Sequence, residues 1–258
     1  MGPGRRAETP RAPDLSVSIG RLRLSNPVMA ASGTFGGGYP AVVDCSRLGA
    51  VVLKTVTLKP RSGNPPPRIW ETPGGILNSI GLENKGLRAF LKGDLPAARK
   101  MGTRIVVSIS GETVEEYAVL ARAIDRAGGV DAIELNISCP NVSKGLDFGT
   151  DPKLSGSAVR AAKKATRLPV IAKLTPNVTN IVPIARSVVE NGADAVSLVN
   201  TLKGMAVDWR RQRPRLGGIT GGLSGPAIKP VALRMVWEVA SAVRVPIVGI
   251  GGIASAED

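Results

Sequence analysis

The stretch Ile133-Glu134-Leu135-Asn136-Ile137-Ser138-Cys139-Pro140-Asn141 begins as an apolar β-strand and ends in a polar turn. Its first half is dominated by isoleucine and leucine, and Pro140 stiffens the turn that carries Cys139. Parallel α/β proteins place their working groups just past strand ends of this kind. The stretch therefore predicts an α/β fold with a candidate functional residue at the carboxyl end of a strand.

Short apolar runs followed by stretches of helical period recur along the chain. The runs predicted to be strands are Val28–Ala31, Ala50–Lys54, Ile105–Ile109, Ala132–Ile137, Val170–Leu174, Ala195–Val199 and Ile247–Ile250. The clearest predicted helices are Thr113–Ala127, Ser157–Thr166, Ile181–Asn191 and Ile228–Val243. Seven buried-type strands that alternate with helices predict a parallel sheet, either an open doubly wound sheet or a TIM (β/α)8 barrel.

The distribution of polar residues favours the barrel. No GxGxxG motif follows the first strand, and polar or glycine residues follow every strand instead of gathering at one switch point. An N-terminal β-hairpin, Leu15–Leu24, is expected to precede the barrel because its apolar residues alternate about a Gly-Arg turn. The sequence reaches Asp258 soon after the seventh strand, so we expect a truncated barrel that lacks the eighth strand and helix.

Composition narrows the function classes. The 34 Lys and Arg against 20 Asp and Glu give a net charge of +14, which suits anionic ligands or a solvated basic surface. Aromatic residues make up 3% of the chain, which disfavours nucleic-acid binding by base stacking. Met1–Pro13 lacks an apolar run and is expected to be a disordered tail before one domain at residues 14–258. We expect neither a membrane span nor a metal site or disulfide, which fits a cytoplasmic protein.

The chain contains no histidine, so a proton-transferring base would have to be Cys, Lys, Asp, Glu or Tyr. Cys139, at a predicted strand end, is one candidate, although most free cysteines are small buried apolar residues. Cys45 is expected to be such a core residue. Lys173 lies inside an apolar strand and needs an anionic partner or a lowered pKa there.

Two long connections and two glycine pairs add further candidates. The loop Glu71–Asn84 is long for a strand-to-helix connection, and Asn78 within it suits an amide or carboxylate ligand. A second long loop is predicted over Leu202–Pro226, ending in a run from Gly221 to Gly225 whose bare N–H groups could cradle an anion. Gly251-Gly252 after the seventh strand is another candidate cradle.

Seven short motifs together resemble one family. They are Ala31-Ser32-Gly33-Thr34, Leu53-Lys54-Thr55, Asn78-Ser79-Ile80-Gly81-Leu82, Asn136-Ile137-Ser138-Cys139-Pro140-Asn141, Lys173-Leu174-Thr175-Pro176, Asn200-Thr201 and Gly222-Leu223-Ser224-Gly225-Pro226-Ala227. The chain resembles the class 1 dihydroorotate dehydrogenases from about Leu15 onward, and is most similar to the catalytic subunits of class 1B. The resemblance implies an FMN-binding TIM barrel that oxidises (S)-dihydroorotate to orotate in pyrimidine (UMP) biosynthesis.

The resemblance also implies roles for particular residues. Cys139 corresponds to the base that takes the C5 proton while hydride passes from C6 to FMN, and Lys173 is expected beside flavin N1. The implied FMN contacts are Ser32, Lys54, Thr55, Ser108, Asn136, Lys173, Val199, Gly225, Gly251 and Gly252. The implied substrate contacts are Lys54, Asn78, Ser79, Ile80, Gly81, Leu82, Asn136, Asn200 and Thr201.

Membership of class 1B would imply a partner subunit that carries FAD and a 2Fe–2S cluster and passes electrons to NAD+, in a heterotetramer of two catalytic and two electron-transfer subunits. The fumarate-using class 1A is an alternative, and an FMN-dependent tRNA-dihydrouridine synthase is a more distant one. The family's Gly-Thr pair after strand eight is not in this sequence, so we expect weakened FMN binding, with an inactive barrel fragment as a further alternative.

Overall fold

The structure is a computed structural model that describes residues 13–35, 41–138 and 148–258. Within these ranges the chain forms fifteen strands and six α-helices. The strands are β1 Val17–Ile19, β2 Leu22–Leu24, β3 Met29–Ala30, β4 Ala50–Val56, β5 Ile69–Thr72, β6 Gly75–Asn78, β7 Arg104–Ile109, β8 Ala132–Asn136, β9 Val170–Leu174, β10 Ala195–Leu198, β11 Leu202–Met205, β12 Val207–Asp208, β13 Arg213–Pro214, β14 Thr220–Ser224 and β15 Ile247–Gly249. The helices are α1 Gly86–Lys92, α2 Asp94–Ala98, α3 Val114–Ala127, α4 Pro152–Ala165, α5 Val182–Glu190 and α6 Lys229–Ala242.

Seven parallel strands form the main sheet in the order β3-β4-β7-β8-β9-β10-β15. Each strand pairs with its predecessor in the barrel sequence, as in a (β/α)8 barrel, and all seven predicted strands are present. Within the described ranges, β3 and β15 are the two edges of this curled sheet. The fold prediction is confirmed: the sheet is that of a TIM barrel without its eighth unit in the part of the chain described.

The predicted N-terminal hairpin closes one end of the barrel. β1 and β2 pair antiparallel about Gly20 and Arg21, and Ile19, Leu22 and Leu24 are buried against the inner face of the barrel strands. The Arg21 guanidinium donates a 2.6 Å hydrogen bond to the Arg167 carbonyl, just before β9 begins. The hairpin therefore covers the amino-terminal ends of the strands and leaves their carboxyl ends open.

Helices pack on the outer face of the sheet, and their ends follow local sequence signals. Thr113 caps α3 by accepting a hydrogen bond from the Glu116 N–H, and Gly128 ends that helix with a φ of 67°. The predicted start of α4 at Ser157 was wrong by five residues. The Asp151 carboxylate accepts from the N–H groups of Lys153 and Leu154 and Pro152 occupies the first turn, so α4 begins there.

Both long loops that the sequence predicted, residues 71–84 and 202–226, contain β-strands. Residues of β5 and β6 form a hairpin, β14 pairs with β6, and β11 pairs with β14, giving an antiparallel sheet in the order β11-β14-β6-β5. The prediction of a loop over Leu202–Pro226 was therefore wrong. Glycine-rich sequences lack strand propensity of their own, and here the pairing between distant segments overrides that lack.

None of the helices in the described ranges is long and apolar enough to cross a membrane.

Candidate active site

Along the barrel strands, the inward-facing side chains change from apolar at the amino ends to polar towards the carboxyl ends. The candidate site lies at the polar, upper end. Near the amino ends of the strands, the inward-facing residues are apolar and pack on the hairpin. The next inward positions, two residues further along each strand, are polar: Lys54, Ser108, Glu134, Lys173 and Ser197. All of these except Lys54 are nearly inaccessible to solvent. The polar layer lies at the carboxyl ends of the strands, where barrels carry their active sites.

A β-bulge in β4 places two consecutive polar residues in this layer. Leu53 pairs with Val107 and Val56 pairs with Ile109, so Lys54 and Thr55 together face the single residue Ser108. The Thr55 hydroxyl lies 2.9 Å from that of Ser108, which confirms that it faces inward. Strict alternation would have sent Lys54 and Thr55 to opposite faces, and the bulge re-aims one of them.

Four of the residues implied by the resemblance form one hydrogen-bonded network. The Ser32 hydroxyl donates to the Leu53 carbonyl at 3.0 Å and lies 3.2 Å from the Thr55 hydroxyl. Thr55 contacts Ser108 and also accepts a 3.5 Å hydrogen bond from the Asn136 amide. The strand ends of β4, β7 and β8 are thereby joined through side chains that can donate to, or accept from, a polar ring.

Asn136 also connects this network to the end of β10. The Ser138 hydroxyl donates to Asn136 Oδ1 at 2.9 Å, and Asn200 Nδ2 lies 2.7 Å from Ser138 Oγ and 3.5 Å from the same Asn136 oxygen. The Asn200 amide oxygen accepts from the Thr201 N–H at 2.8 Å. Two carboxamides are thus fixed side by side at the mouth of the barrel. Ser138 was not a predicted site residue, although it stands between Asn136 and Cys139 in the sequence.

Two further side chains hold the backbone of Asn136 in place. The Tyr117 hydroxyl donates a 3.0 Å hydrogen bond to the Asn136 carbonyl, and Ser110 donates to the same oxygen at 3.3 Å. Tyr117 is buried and its ring packs edge-on against Phe148 at 5.5 Å. Because Tyr117 comes from α3, this helix fixes the position from which the Asn136 side chain projects.

Lys54 is the exposed cation of the polar layer. Its ammonium lies near Gly33, because a Cβ built on that glycine would be 3.8 Å from Lys54 Nζ. The surrounding protein desolvates the ammonium and lowers the pKa of Lys54, while the Glu83 carboxylate acts to raise it. Among the described residues, none forms an ion pair with Lys54. The side chain is therefore placed to bind an anion that enters the mouth.

Lys173 is the buried cation, and its partner is a residue that the sequence analysis did not single out. The Lys173 ammonium lies 3.9 Å from Glu134 Oε1, and the Ser197 hydroxyl donates to Glu134 Oε2 at 2.9 Å. The expectation that Lys173 needs an anionic partner is confirmed. The sequence did contain a signal for this partner. Glu134 is a charged residue inside an apolar strand, and it lies two residues before Asn136, hence on the same face of the strand.

The predicted substrate loop, residues 78–82, continues from the antiparallel sheet, and Asn78 at its start lies near the residues that follow β10. Asn78 Nδ2 donates to the Gly222 carbonyl at 3.2 Å, and a Cβ on Gly222 would lie 1.9 Å from the Thr201 hydroxyl. Asn78 and Thr201 therefore both border on Gly222. Only a glycine can occupy that position, because any side chain would displace Thr201.

The rest of the loop is held from behind. Asn64 Nδ2 donates to the Ser79 hydroxyl at 2.8 Å, and the Asn64 N–H donates to the Ile80 carbonyl at 3.1 Å. Gly81 and Leu82 adopt positive φ values of 73° and 55°. A leucine in this region is uncommon and carries local strain. The hydrogen bonds from Asn64 to Ser79 and Ile80 help to hold this strained turn in place.

The predicted anion cradles need one correction. Gly221 and Gly222 lie within β14 and pair with β11, and Gly222 also pairs with Asn78, so this run does not offer a row of bare N–H groups. Gly225 and Gly252 do come together, since a Cβ on Gly252 would lie 3.0 Å from the Gly225 carbonyl oxygen. Gly225, Gly251 and Gly252 all have positive φ, next to the start of α6. A compact glycine-lined corner therefore remains at this end.

Two predicted site residues stand apart from these networks. Val199 is buried directly after β10, and its N–H donates to the Ile250 carbonyl at 3.0 Å, which ties β10 to the end of β15. Cys139, the predicted base, lies outside the described residues, as does the rest of its turn through residue 147. The other cysteine, Cys45, is buried as predicted.

Comparison with known proteins adds a family assignment. The sequence model of the family described as dihydroorotate dehydrogenase matches residues 14–258. Three similar relatives carry the name "Dihydroorotate dehydrogenase B (NAD(+)), catalytic subunit". They come from Geotalea uraniireducens (53% identical; 95% of this chain and 82% of the relative), Geobacter metallireducens (54%; 96% and 82%) and Desulforudis audaxviator (53%; 94% and 80%).

Proposed function

Because this chain belongs to the dihydroorotate dehydrogenase family, we propose that it catalyses the oxidation of (S)-dihydroorotate to orotate, a step of pyrimidine (UMP) biosynthesis. The observation that carries the proposal is the convergence of two carboxamides and a cation at one barrel mouth. Asn136 and Asn200 lie in hydrogen-bonding contact there, with Lys54 at the end of the neighbouring strand pair. Asn78, from the antiparallel sheet, borders on Gly222, which lies against Thr201, the residue that follows Asn200.

The chemistry of the substrate matches this set of groups. Dihydroorotate is a cyclic imide that carries a carboxylate, so its ring presents N–H donors and C=O acceptors beside a negative charge. Carboxamides of Asn136, Asn200 and Asn78 can pair with both kinds of ring atom. Lys54, which has no ion-pair partner in the described ranges, would pair with the carboxylate. The loop at residues 78–82, which Asn64 holds in place, would cover the ring.

The residues also fit FMN. The serine, threonine and asparagine network that joins Ser32 to Asn136 supplies neutral donors and acceptors for the polar edge of a flavin. The corner formed by Gly225, Gly251 and Gly252 brings closely packed backbone with positive φ beside the start of α6, a place that would favour a phosphate. Bound FMN would supply the two-electron acceptor of the reaction. Lys173 would place its positive charge where the reduced ring accumulates negative charge.

We assign the proton step to Cys139, on the strength of the family resemblance and the absence of histidine. The Cys139 thiolate would take the proton from C5 of dihydroorotate as C6 loses a hydride, and the C5–C6 double bond forms from the electrons of the broken C5–H bond. The carboxamides of Asn136 and Asn200 would keep the ring oriented during this step. The ring loses one proton and one hydride in total, which is the two-electron oxidation to orotate.

We further propose that the chain works with a partner. The relatives' name describes a catalytic subunit linked to NAD+, and such a subunit needs a route from its flavin to the nicotinamide. A second subunit that carries FAD and a 2Fe–2S cluster would supply this route, in a heterotetramer with two copies of each chain in the cytoplasm. The barrel domain that carries the site would comprise residues 14–258.

The decisive variant is Cys139→Ser. A serine hydroxyl is a much weaker base than a thiol near pH 7, so we expect flavin reduction by dihydroorotate to fall by about 10²–10⁴-fold while FMN stays bound. Rapid-mixing absorbance at the flavin band measures both quantities in one sample. Cys45→Ser, a matched change at the buried cysteine far from the mouth, is expected to keep wild-type reduction rates.

Three acceptor conditions complete the test: NAD+ alone, NAD+ with the electron-transfer subunit, and fumarate. We expect turnover with NAD+ only when the second subunit is present. Wild-type rates in Cys139→Ser would refute the assignment of the base, and fumarate as the best acceptor would refute the proposed partner.

A further inference from the structure

Glu134 is the one carboxylate in the polar layer, and its placement is unusual. It lies in the middle of β8, faces the barrel interior and is 2% exposed. Oε2 accepts a hydrogen bond from the Ser197 hydroxyl, but Oε1 has no hydrogen-bond partner among the residues that the structure describes. A buried carboxylate with one unsatisfied oxygen is costly, so its presence asks for a reason beyond packing.

The neighbour of that unsatisfied oxygen is Lys173. The Nζ–Oε1 distance of 3.9 Å is within range for charge attraction but too long for a hydrogen bond. Lys173 therefore gains a counter-charge from Glu134 while its N–H donors stay available for another acceptor. The strand register supports a fixed arrangement, since Lys173 pairs with Asn136 on one side and with Ser197 on the other.

We propose that Glu134 is a positioning residue that holds the Lys173 ammonium where FMN would bind and offsets part of its positive charge, so that bound FMN keeps a lower midpoint potential than Lys173 alone would impose. This inference rests on the proposed function, because it requires FMN in the mouth. Its reason is chemical. An uncompensated buried cation would stabilise reduced flavin strongly, and a flavin that must pass electrons on towards a nicotinamide cannot be held too firmly in its reduced state.

The test is the midpoint potential of the bound flavin in Glu134→Gln, measured by dye-coupled anaerobic titration of the purified flavoprotein. Glutamine keeps the size of the side chain and its contact with Ser197 but removes the charge. We expect the potential to move in the positive direction, with the equilibrium for FMN reduction favoured on the order of tenfold. Glu238→Gln, which neutralises an exposed ion pair with Arg234 on α6, is the matched control and is expected to leave the potential unchanged.

A double-mutant cycle with Lys173→Met separates this role from a merely structural one. Lys173→Met alone is expected to move the potential in the negative direction. In that background, Glu134→Gln is expected to have a smaller effect, because Lys173 is no longer there for Glu134 to position. If Glu134→Gln does not fold, Glu134→Asp retracts the carboxylate by one methylene and should give a smaller positive shift.

The outcomes are distinct. An unchanged or more negative potential in Glu134→Gln, with FMN bound and wild-type flavin reduced by dihydroorotate, overturns this inference and leaves the proposed function standing. Equal shifts from Glu134→Gln with and without Lys173 also overturn it. A wild-type protein that binds no FMN overturns the proposed function, and this inference with it.

Discussion

The lower and upper halves of the barrel interior are built from the same strands and differ in almost every other respect. In the lower half, inward-facing residues such as Val52, Val106 and Ile171 pack against the hairpin without polar atoms to satisfy. Two residues further on, the same faces carry serine, glutamate and lysine side chains. Glu134 Oε1 has no hydrogen-bond partner within the described part of the chain. The lower half is arranged for stability, whereas the upper half keeps polar groups that a fully packed core would exclude.

The sharpest way to break this comparison is to remove packing from the lower half. Leu24 in the hairpin is 1% exposed and fills the amino end of the barrel. We expect Leu24→Ala to lower the free energy of unfolding by about 2–5 kcal/mol, because it leaves a cavity that the rigid strands cannot close. Chemical denaturation measures the loss, and activity per bound flavin should stay at the wild-type level. A fall in that ratio would show that the hairpin also shapes the upper half.

Asn136→Ala is expected to do the opposite of Leu24→Ala: it should lower activity and leave stability nearly unchanged. It removes a carboxamide that contacts Thr55 and Ser138 and that we propose to orient flavin and substrate. We expect the rate of flavin reduction to fall by about 10²–10³-fold, as for a lost positioned donor, with a small change in stability. Stopped-flow reduction and thermal unfolding of the same preparation measure the two effects. Asn191→Ala, at the end of α5, is the matched control; a comparable rate loss there would contradict the division into halves.

The smallest expected effect concerns pH. Partial desolvation by the surrounding protein lowers the pKa of Lys54, so its ammonium loses its proton at a lower pH than an ordinary lysine. The charged form is the one that binds a carboxylate, so affinity for orotate should decline as the pH rises through this lowered pKa, by on the order of tenfold. Spectral titration of the bound flavin with orotate measures the affinity. Lys54→Met should bind weakly at every pH, whereas Lys92→Met on α1 should keep the wild-type profile.

The strands of the barrel could be predicted from the sequence because each is a short apolar run that is buried on both faces. The bulge in β4 could not be predicted, because it depends on how Lys54 and Thr55 are opposed by Ser108 on another strand. The antiparallel sheet was missed for a similar reason. β6 and β14 are about 140 residues apart, and neither segment has a sequence that predicts a strand by itself.

Within the candidate site, the residues that a motif carries were the ones that sequence could identify. Asn136 and Asn200 follow strand ends and lie within hydrogen-bonding distance of each other, and Lys173 is the register neighbour of Asn136 in the sheet. Glu134 and Ser197 were missed because a single glutamate or serine in a strand has many ordinary explanations. Their partnership appears only when β8, β9 and β10 are placed side by side.

The pairing of β6 with β14 has a consequence for protein engineering. The segment that ends in Asn78 and the segment that contains Gly222 pair with each other as β-strands. Each segment therefore depends on the other for its conformation, and neither is expected to keep it when transferred alone into the barrel of a relative. Chimeras between relatives should therefore exchange residues 69–82 and 202–225 together. A library that shuffles these two segments independently should yield functional enzymes mainly where both came from the same parent.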